Sequence, residues 1–237
     1  MKKQTVDVLT SRLAVQPGAL EDKAVVVIDT LRATTVMVTA LSYGAKKIIP
    51  VAEVEEAFSL RAQDPSLLLG GERHALFIPG FDFGNSPLEY TKVRVKDKTL
   101  IMSTSNGTRT LLSAAAGAQV FLGALRNGTA AMARALDTGR DVVLFNAGTD
   151  GALSLDDFIT AGAMIAGAQG SIQLTDAARL ARMLYEAHPD LRSALQGTLH
   201  YERMRALNLE ADLEFCLQKD QSSLVPAFWG GEILPLR

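Results

Sequence analysis

The stretch that most restricts the fold is Ala24-Val-Val-Val-Ile28, five apolar residues with no polar interruption. A half-exposed strand alternates polar and apolar positions. An unbroken β-branched run instead suits a strand covered on both faces, as in a parallel sheet flanked by helices. The run ends at Asp29-Thr-Leu-Arg32, and residues 33–41 then read as a helix closed by Gly44. The same order recurs downstream. Residues 99–102 are an apolar strand, 103–107 a small polar loop, and 108 onward a helix ended by Gly117. Other strands are expected at 46–51, 66–69, 119–122, 141–145 and 223–228, with short ones at 5–10 and 232–234. Helices are expected at 53–63, 129–136, 155–168 and 175–186, and helical pieces across 191–217. Alternating strands and helices argue for an α/β layered fold with a largely parallel sheet. Thr35 and Thr108 each stand nine residues before a Gly-Ala pair. That spacing suggests two similar βαβ-containing halves, near 1–95 and 96–237, within a single unit. Two unrelated βαβ units of equal length would give the same spacing.

Composition narrows the function. The chain has 237 residues, 48% hydrophobic and 21% charged, enough for a sizeable core. The net charge is −2 and no basic block occurs, so neither nucleic acid nor an anionic membrane is an expected partner. The single Cys216 allows no intramolecular disulfide and no zinc cluster, and His74, His188 and His200 are not spaced as metal ligands. No apolar run approaches the ~18 residues of a membrane span. Met1-Lys-Lys-Gln-Thr does not lead into the apolar core of a signal peptide, so a cytoplasmic protein is expected. The apolar stretch 161–168 suits a core or a dimer interface equally, which leaves a homodimer open.

Polar residues collect where strands end. Asp29 and Arg32 follow 24–28, Glu72 and Arg73 follow 66–69, Thr104, Asn106 and Thr108 follow 99–102, and Asn146 and Gly148 follow 141–145. In an open parallel sheet the carboxyl ends of strands share the edge where ligands bind. A hydroxyl-rich loop feeding a helix N-terminus presents free N–H groups and a positive dipole end, suited to phosphate. Ser, Thr and Asn are also ordinary helix caps, and Asp29 could serve in that way. Its alternative is a Mg²⁺ ligand or a nucleophile. Arg32 offers a planar fork that fits phosphate or carboxylate. Asp156 and Asp157 open a helix, where the dipole alone favours carboxylates. Asn85 before Ser86-Pro87 suits a helix start. Nothing in their neighbourhoods marks His74 or His200 as catalytic.

Four segments occur in order: Val27-Ile-Asp-Thr-Leu-Arg-Ala-Thr-Thr35, Gly70-Gly-Glu-Arg73, Gly84-Asn-Ser-Pro87 and Thr104-Ser-Asn-Gly-Thr108. With the tail segments Thr198-Leu-His-Tyr-Glu-Arg-Met204, Asp212-Leu-Glu-Phe-Cys216 and Val225-Pro226, the chain resembles the 2-phosphosulfolactate phosphatase family over nearly its whole length. It departs at Asn146, where many members carry cysteine, and at Asn208, where glycine is expected.

The resemblance implies a three-layer α/β/α fold with a largely parallel or mixed sheet. It also implies a Mg²⁺-dependent phosphatase of a small phosphorylated acid, 2-phosphosulfolactate in coenzyme M biosynthesis. On that reading Asp29, Arg32 and Asn106 are the catalytic residues. Arg73, Asn85, Thr104, Gly107, Thr108 and Arg109 bind substrate, with Arg73 or Arg109 receiving its second anionic group. Asp29, Glu72 and Asp157 hold Mg²⁺. Attack is by water or by Asp29; an aspartyl-phosphatase pattern would place a second Asp at position 31, which is leucine. Two alternatives remain: a phosphatase of another phosphorylated hydroxy acid, and a non-catalytic anion-binding module. No Walker loop and no Gly-x-Gly-x-x-Gly supports nucleotide binding.

Overall fold

The computed structural model describes residues 3–236. The strands are β1 (Thr5–Leu9), β2 (Ala24–Ile28), β3 (Lys47–Pro50), β4 (Leu68–Arg73), β5 (Leu76–Phe77), β6 (Thr99–Ser103), β7 (Gln119–Gly123), β8 (Val142–Asn146), β9 (Gln173–Leu174), β10 (Val225–Trp229) and β11 (Glu232–Leu236). The helices are α1 (Ala33–Ser42), α2 (Val54–Gln63), α3 (Lys92–Val95), α4 (Gly107–Ser113), α5 (Gly128–Leu136), α6 (Leu155–Ala166), α7 (Asp176–Ala187), α8 (Leu191–Leu195), α9 (Leu199–Ala206) and α10 (Glu210–Cys216). Among the described residues the strands form one sheet in the order β5-β4-β6-β3-β11-β10-β7-β2-β8-β1-β9.

The apolar run 24–28 behaves as its composition demands. All five residues are buried, with β7 and β8 paired in parallel on either side. Val25 and Val27 face one layer, built from α1 and α4. Val26 and Ile28 face the other, built from α5, α6 and α7. Each such side chain stabilises the fold by about 1.5–3 kcal/mol through burial. Ala161, Met164 and Ile165 belong to this second core, so the apolar stretch near 161–168 packs inward. A third cluster joins α8, α9 and α10 to Leu31, Leu125 and Ile159, pinning the C-terminal helices over the end of β2. The architecture is α/β/α with a mixed sheet.

The sheet is two parallel blocks, β4-β6-β3 and β7-β2-β8-β1-β9, joined by the β10–β11 hairpin. The hairpin pairs antiparallel to β3 and to β7, so the blocks run in opposite senses. The polar clusters therefore do not share one sheet edge, as a uniformly parallel sheet would require. β2 and β8 end in one sense, β4 and β6 in the other. Two crossings bring them together: β2–α1–β3 and β6–α4–β7 each carry the chain from one block to the other. α1 packs on β7, β10 and β11, α4 packs on β2 and β3, and the two helices touch. Gly107, the first residue of α4, then abuts the start of α1. A Cβ there would lie 2.5 Å from Ala33 Cβ and 2.6 Å from Asp29 Oδ2.

Candidate active site

The loop after β2 is held rigidly. The Asp29 backbone N–H donates to Thr34 Oγ1 at 2.9 Å, and that hydroxyl also reaches the Gly123 carbonyl at 2.7 Å. Asp29 Oδ1 accepts the Ala33 N–H at 3.0 Å, so the carboxylate does cap α1. The other oxygen faces the cleft and Gly107. The two readings of Asp29, as cap and as reactive carboxylate, therefore describe different oxygens of one group. Arg32 is buried, with Nη1 2.6 Å from Asp212 Oδ2 on α10. Ser86 Oγ donates to the second Asp212 oxygen at 2.6 Å, which ties the 84–87 loop to the same carboxylate.

The second crossing is ordered by glycine and hydroxyls. At Gly71, φ is +143° and a Cβ would collide with the Ser103 carbonyl oxygen, so only glycine lets β4 lie this close to β6. That approach places Glu72 under the 104–108 loop. Its carboxylate accepts the Ser105 N–H at 2.7 Å, the Ser105 hydroxyl at 3.1 Å and the Ala75 N–H at 2.7 Å. Thr104 and Thr108 bond each other reciprocally, each backbone N–H donating to the other's hydroxyl at 3.0 Å.

The C-terminal helices supply the third wall. His200 Nδ1 lies 3.5 Å from Asp156 Oδ2 and 3.4 Å from Ser154 Oγ. Ser154 Oγ donates to Asp156 Oδ1 at 2.5 Å. Asp156 Oδ2 is buried without a hydrogen-bond partner, as is Asn85 Oδ1 at the cleft wall. Together Asp29, Leu31, Arg32, Glu72, His74, Ala75, Asn85, Ser105, Asn106, Asp150, His200, Arg203 and Met204 line a small cleft of about 40 Å³.

Among the described residues, the buried charged side chains are Asp29, Arg32, Glu72, Asp156, Asp157 and Asp212, and all six belong to this place. Asp29, Arg32 and Glu72 line the cleft, and Asp156, Asp157 and Asp212 stand behind its lining. Burial pushes Asp29 up to about 6; His200 and the Ala33 N–H pull against it, and Asp156 and Glu72 add to the rise. Burial, then Asp156 and Asp29, drive Asp157 well above the ordinary carboxylate range. Asp156 goes the other way: burial opposes its ionisation, but His200 and the Ser154 hydroxyl outweigh it. Burial pulls His200 down, yet Asp156 and Asp29 leave it raised, against a smaller opposing push from Arg203. The site therefore holds one carboxyl poised near neutrality beside a histidine that favours its protonated form. That is the pattern of a tuned acid–base pair.

The structure brings Asp29, Arg32, Glu72, Asn85 and Asn106 to the cleft, with Gly107 against Asp29. It does not bring the others. Thr104 and Thr108 are buried in their mutual cap, and it is Ser105 and Asn106 that face the opening. Arg73 is spent on the carbonyls of Glu72 and Ala52 and the Ser103 hydroxyl, tying strand ends together. Arg109 points outward to Glu53 at 2.8 Å. Both Asp157 oxygens accept backbone N–H groups, from Thr30 at 2.8 Å and Gly148 at 3.0 Å, so this carboxylate lashes β2 to β8 behind the cleft. Sequence reasoning gave no role to His200, Asp156, Asp212 or Arg203. For His200, Arg203 and Asp212 the only signal was the tail segments 198–204 and 212–216, far along the chain from Asp29, and Asp156 showed only as an acid opening a helix.

A profile of the family described as 2-phosphosulpholactate phosphatase matches residues 9–230. Similar curated proteins include a "probable 2-phosphosulfolactate phosphatase" of Clostridium acetobutylicum, 41% identical over 97% of this chain and 99% of its own. Proteins of the same description from Clostridium botulinum strain Eklund 17B and Clostridium tetani are 40% and 41% identical, over 98% and 96% of this chain and 99% of each relative. Match length and identity, with the cleft just described, show that this chain belongs to the 2-phosphosulpholactate phosphatase family of phosphoric monoester hydrolases.

Proposed function

We propose that the chain hydrolyses 2-phosphosulfolactate to sulfolactate and phosphate, in the cytoplasm as part of coenzyme M biosynthesis, with Mg²⁺ as cofactor. The observation that carries this is that the buried charges among the described residues lie at one cleft or directly behind it, around a carboxyl raised to about 6. Burying charge is costly, and a cluster of buried titratable groups at a cleft is a mark of a site for chemistry.

The donor set suits Mg²⁺. Asp29 and Glu72 offer hard oxygens, and the excess of buried negative charge calls for a cation. Among the described residues no three His, Cys, Asp or Glu side chains form a ready-made cage. An ion there would be held by one or two carboxylates, waters and a substrate phosphate. Bound there, Mg²⁺ would neutralise phosphate charge and acidify a water.

The remaining work falls to the protein. Arg32, held by Asp212, keeps further N–H donors for phosphoryl oxygens. Ser105 and Asn106 line the approach at the start of α4. Asp29 Oδ2 accepts the proton of the attacking water. His200, kept protonated by Asp156, gives a proton to the departing alkoxide oxygen. Water attack suits this wall better than a phospho-aspartate, because no second carboxyl follows Asp29 two residues on.

The test is phosphate release from 2-phosphosulfolactate, phospholactate and an aryl phosphate, with Mg²⁺ and with chelator. Chelator-sensitive release favouring the sulfonate is expected. Release only from phospholactate would keep the chemistry and replace the substrate, and release unaffected by chelator would remove the metal.

A further inference from the structure

A substrate that is both a phosphate ester and a second strong acid needs two cationic receptors. One is Arg32 at the phosphoryl end. Arg73 and Arg109, the cations adjacent to the phosphate loop in sequence, are committed elsewhere. α9 presents a different one. His200 and Arg203 are three residues apart and so share a helical face, and both line the cleft together with Met204. Tyr201 and Met204 anchor that helix in the C-terminal core, so its position is fixed by packing.

Arg203 is half-buried, yet its guanidinium forms no ion pair and no hydrogen bond with any described residue. The acid on its own helix is already taken: Glu202 accepts the Gly197 N–H at 3.0 Å and lies 3.5 Å from Arg205. Asp212 is saturated by Arg32 and Ser86. A guanidinium withdrawn from water without an anion is costly, and it is satisfied when an anion arrives. His74, the other basic residue of the cleft wall apart from Arg32 and His200, is exposed and therefore screened by water. Leu31 and Met204 add apolar surface to the lining of the same cleft, which suits a short carbon skeleton.

We propose that Arg203 is the specificity-determining residue of this enzyme, receiving the second anionic group of the substrate, a sulfonate or carboxylate, through its planar fork. This rests on the phosphatase reading above. Arg203 faces the incoming acid and leaves the phosphoryl group to Arg32 and the Ser105–Asn106 loop.

The experiment measures kcat and KM for 2-phosphosulfolactate and for an aryl phosphate lacking the second acid, in the wild type, Arg203→Gln, Arg203→Lys and His74→Gln. Sulfolactate serves as a competitive inhibitor of aryl phosphate hydrolysis. In Arg203→Gln the preference for the two-acid substrate falls about tenfold to a hundredfold, mainly through KM, and the sulfolactate Ki rises in step. Arg203→Lys recovers part of the preference, because charge remains while the fork is lost. Far-ultraviolet circular dichroism and thermal unfolding establish that the variants are folded. Equal losses on both substrates, or a preference lost in His74→Gln and kept in Arg203→Gln, would overturn the assignment. A wild type that hydrolyses neither substrate would instead refute the phosphatase reading itself.

Discussion

The two crossings that meet at the cleft follow the same order of strand, loop and helix, but they are built from opposite materials. After β2 the loop ends in charge: Asp29 toward the cleft and Arg32 locked to Asp212. After β6 it ends in hydroxyls and glycine, with Thr104 and Thr108 capping each other and Gly107 leaving room for Asp29. The first crossing carries the reactive groups and bears the cost of burying them. The second is a neutral, closely packed platform that presents N–H groups and small side chains. Similar local geometry thus serves two tasks, with the division set by side-chain chemistry.

Removing charge from the first crossing should have the largest effect. Asp29→Asn is expected to lower kcat by about 10³-fold or more, since the variant can neither take a proton nor carry the charge. The same variant should be more stable at neutral pH. The folded state holds the Asp29 proton up to about pH 6 against 3.8 for an ordinary aspartate, so stability falls as pH rises through that window. The asparagine keeps the Ala33 bond and has no charge to bury. Its gain at pH 7 should be on the order of 1–3 kcal/mol and should vanish below about pH 4, as read by denaturant unfolding at both pH values.

Asp212→Ala leaves Arg32 buried without its partner and should cost about 3–5 kcal/mol of unfolding free energy. Activity should fall further than instability explains, because Arg32 loses its fixed orientation; kinetics well below the melting temperature separate the two. At the second crossing, Gly107→Ala tests the platform. Its Cβ would press on Ala33 and Asp29, so about 1–3 kcal/mol of stability should be lost, together with a drop in kcat/KM. The smallest effect is expected at Arg109→Ala, which removes only an exposed pair with Glu53. It should change stability by less than about 1 kcal/mol and leave KM near the wild-type value. A large rise in KM there would return Arg109 to the substrate site.

Much of the fold was legible because it rests on local rules. The unbroken run 24–28 is buried on both faces as its composition requires, and Thr175 caps α7 by accepting the Ala178 N–H at 3.3 Å. Opposed block directions were not legible, because strand sense depends on the late β10–β11 hairpin and not on any residue in the strands it separates. Within the site, Asp29, Arg32, Glu72, Asn85 and Asn106 could be found because they sit at strand ends or in short motifs. Arg73 and Arg109 look like anion receptors in sequence, since a free arginine and one spent on nearby carbonyls or on Glu53 read alike. His200 and Asp156 acquire meaning only from each other, and they are brought together by the C-terminal helices folding over Leu31.

The central claim is that Asp29 and His200 form the acid–base pair of one phosphatase cleft. The most direct test is the pH dependence of kcat/KM for phosphate release by the wild type, Asp29→Asn and His200→Gln. The account predicts a bell in the wild type whose acid limb is set by Asp29, near pH 6 for the metal-free carboxyl and lower with Mg²⁺ held beside it. His200→Gln should lose the alkaline limb along with most activity toward alkyl phosphates, and Asp29→Asn should be inactive across the range. A wild-type profile with no acid limb, or full activity in Asp29→Asn, would contradict it.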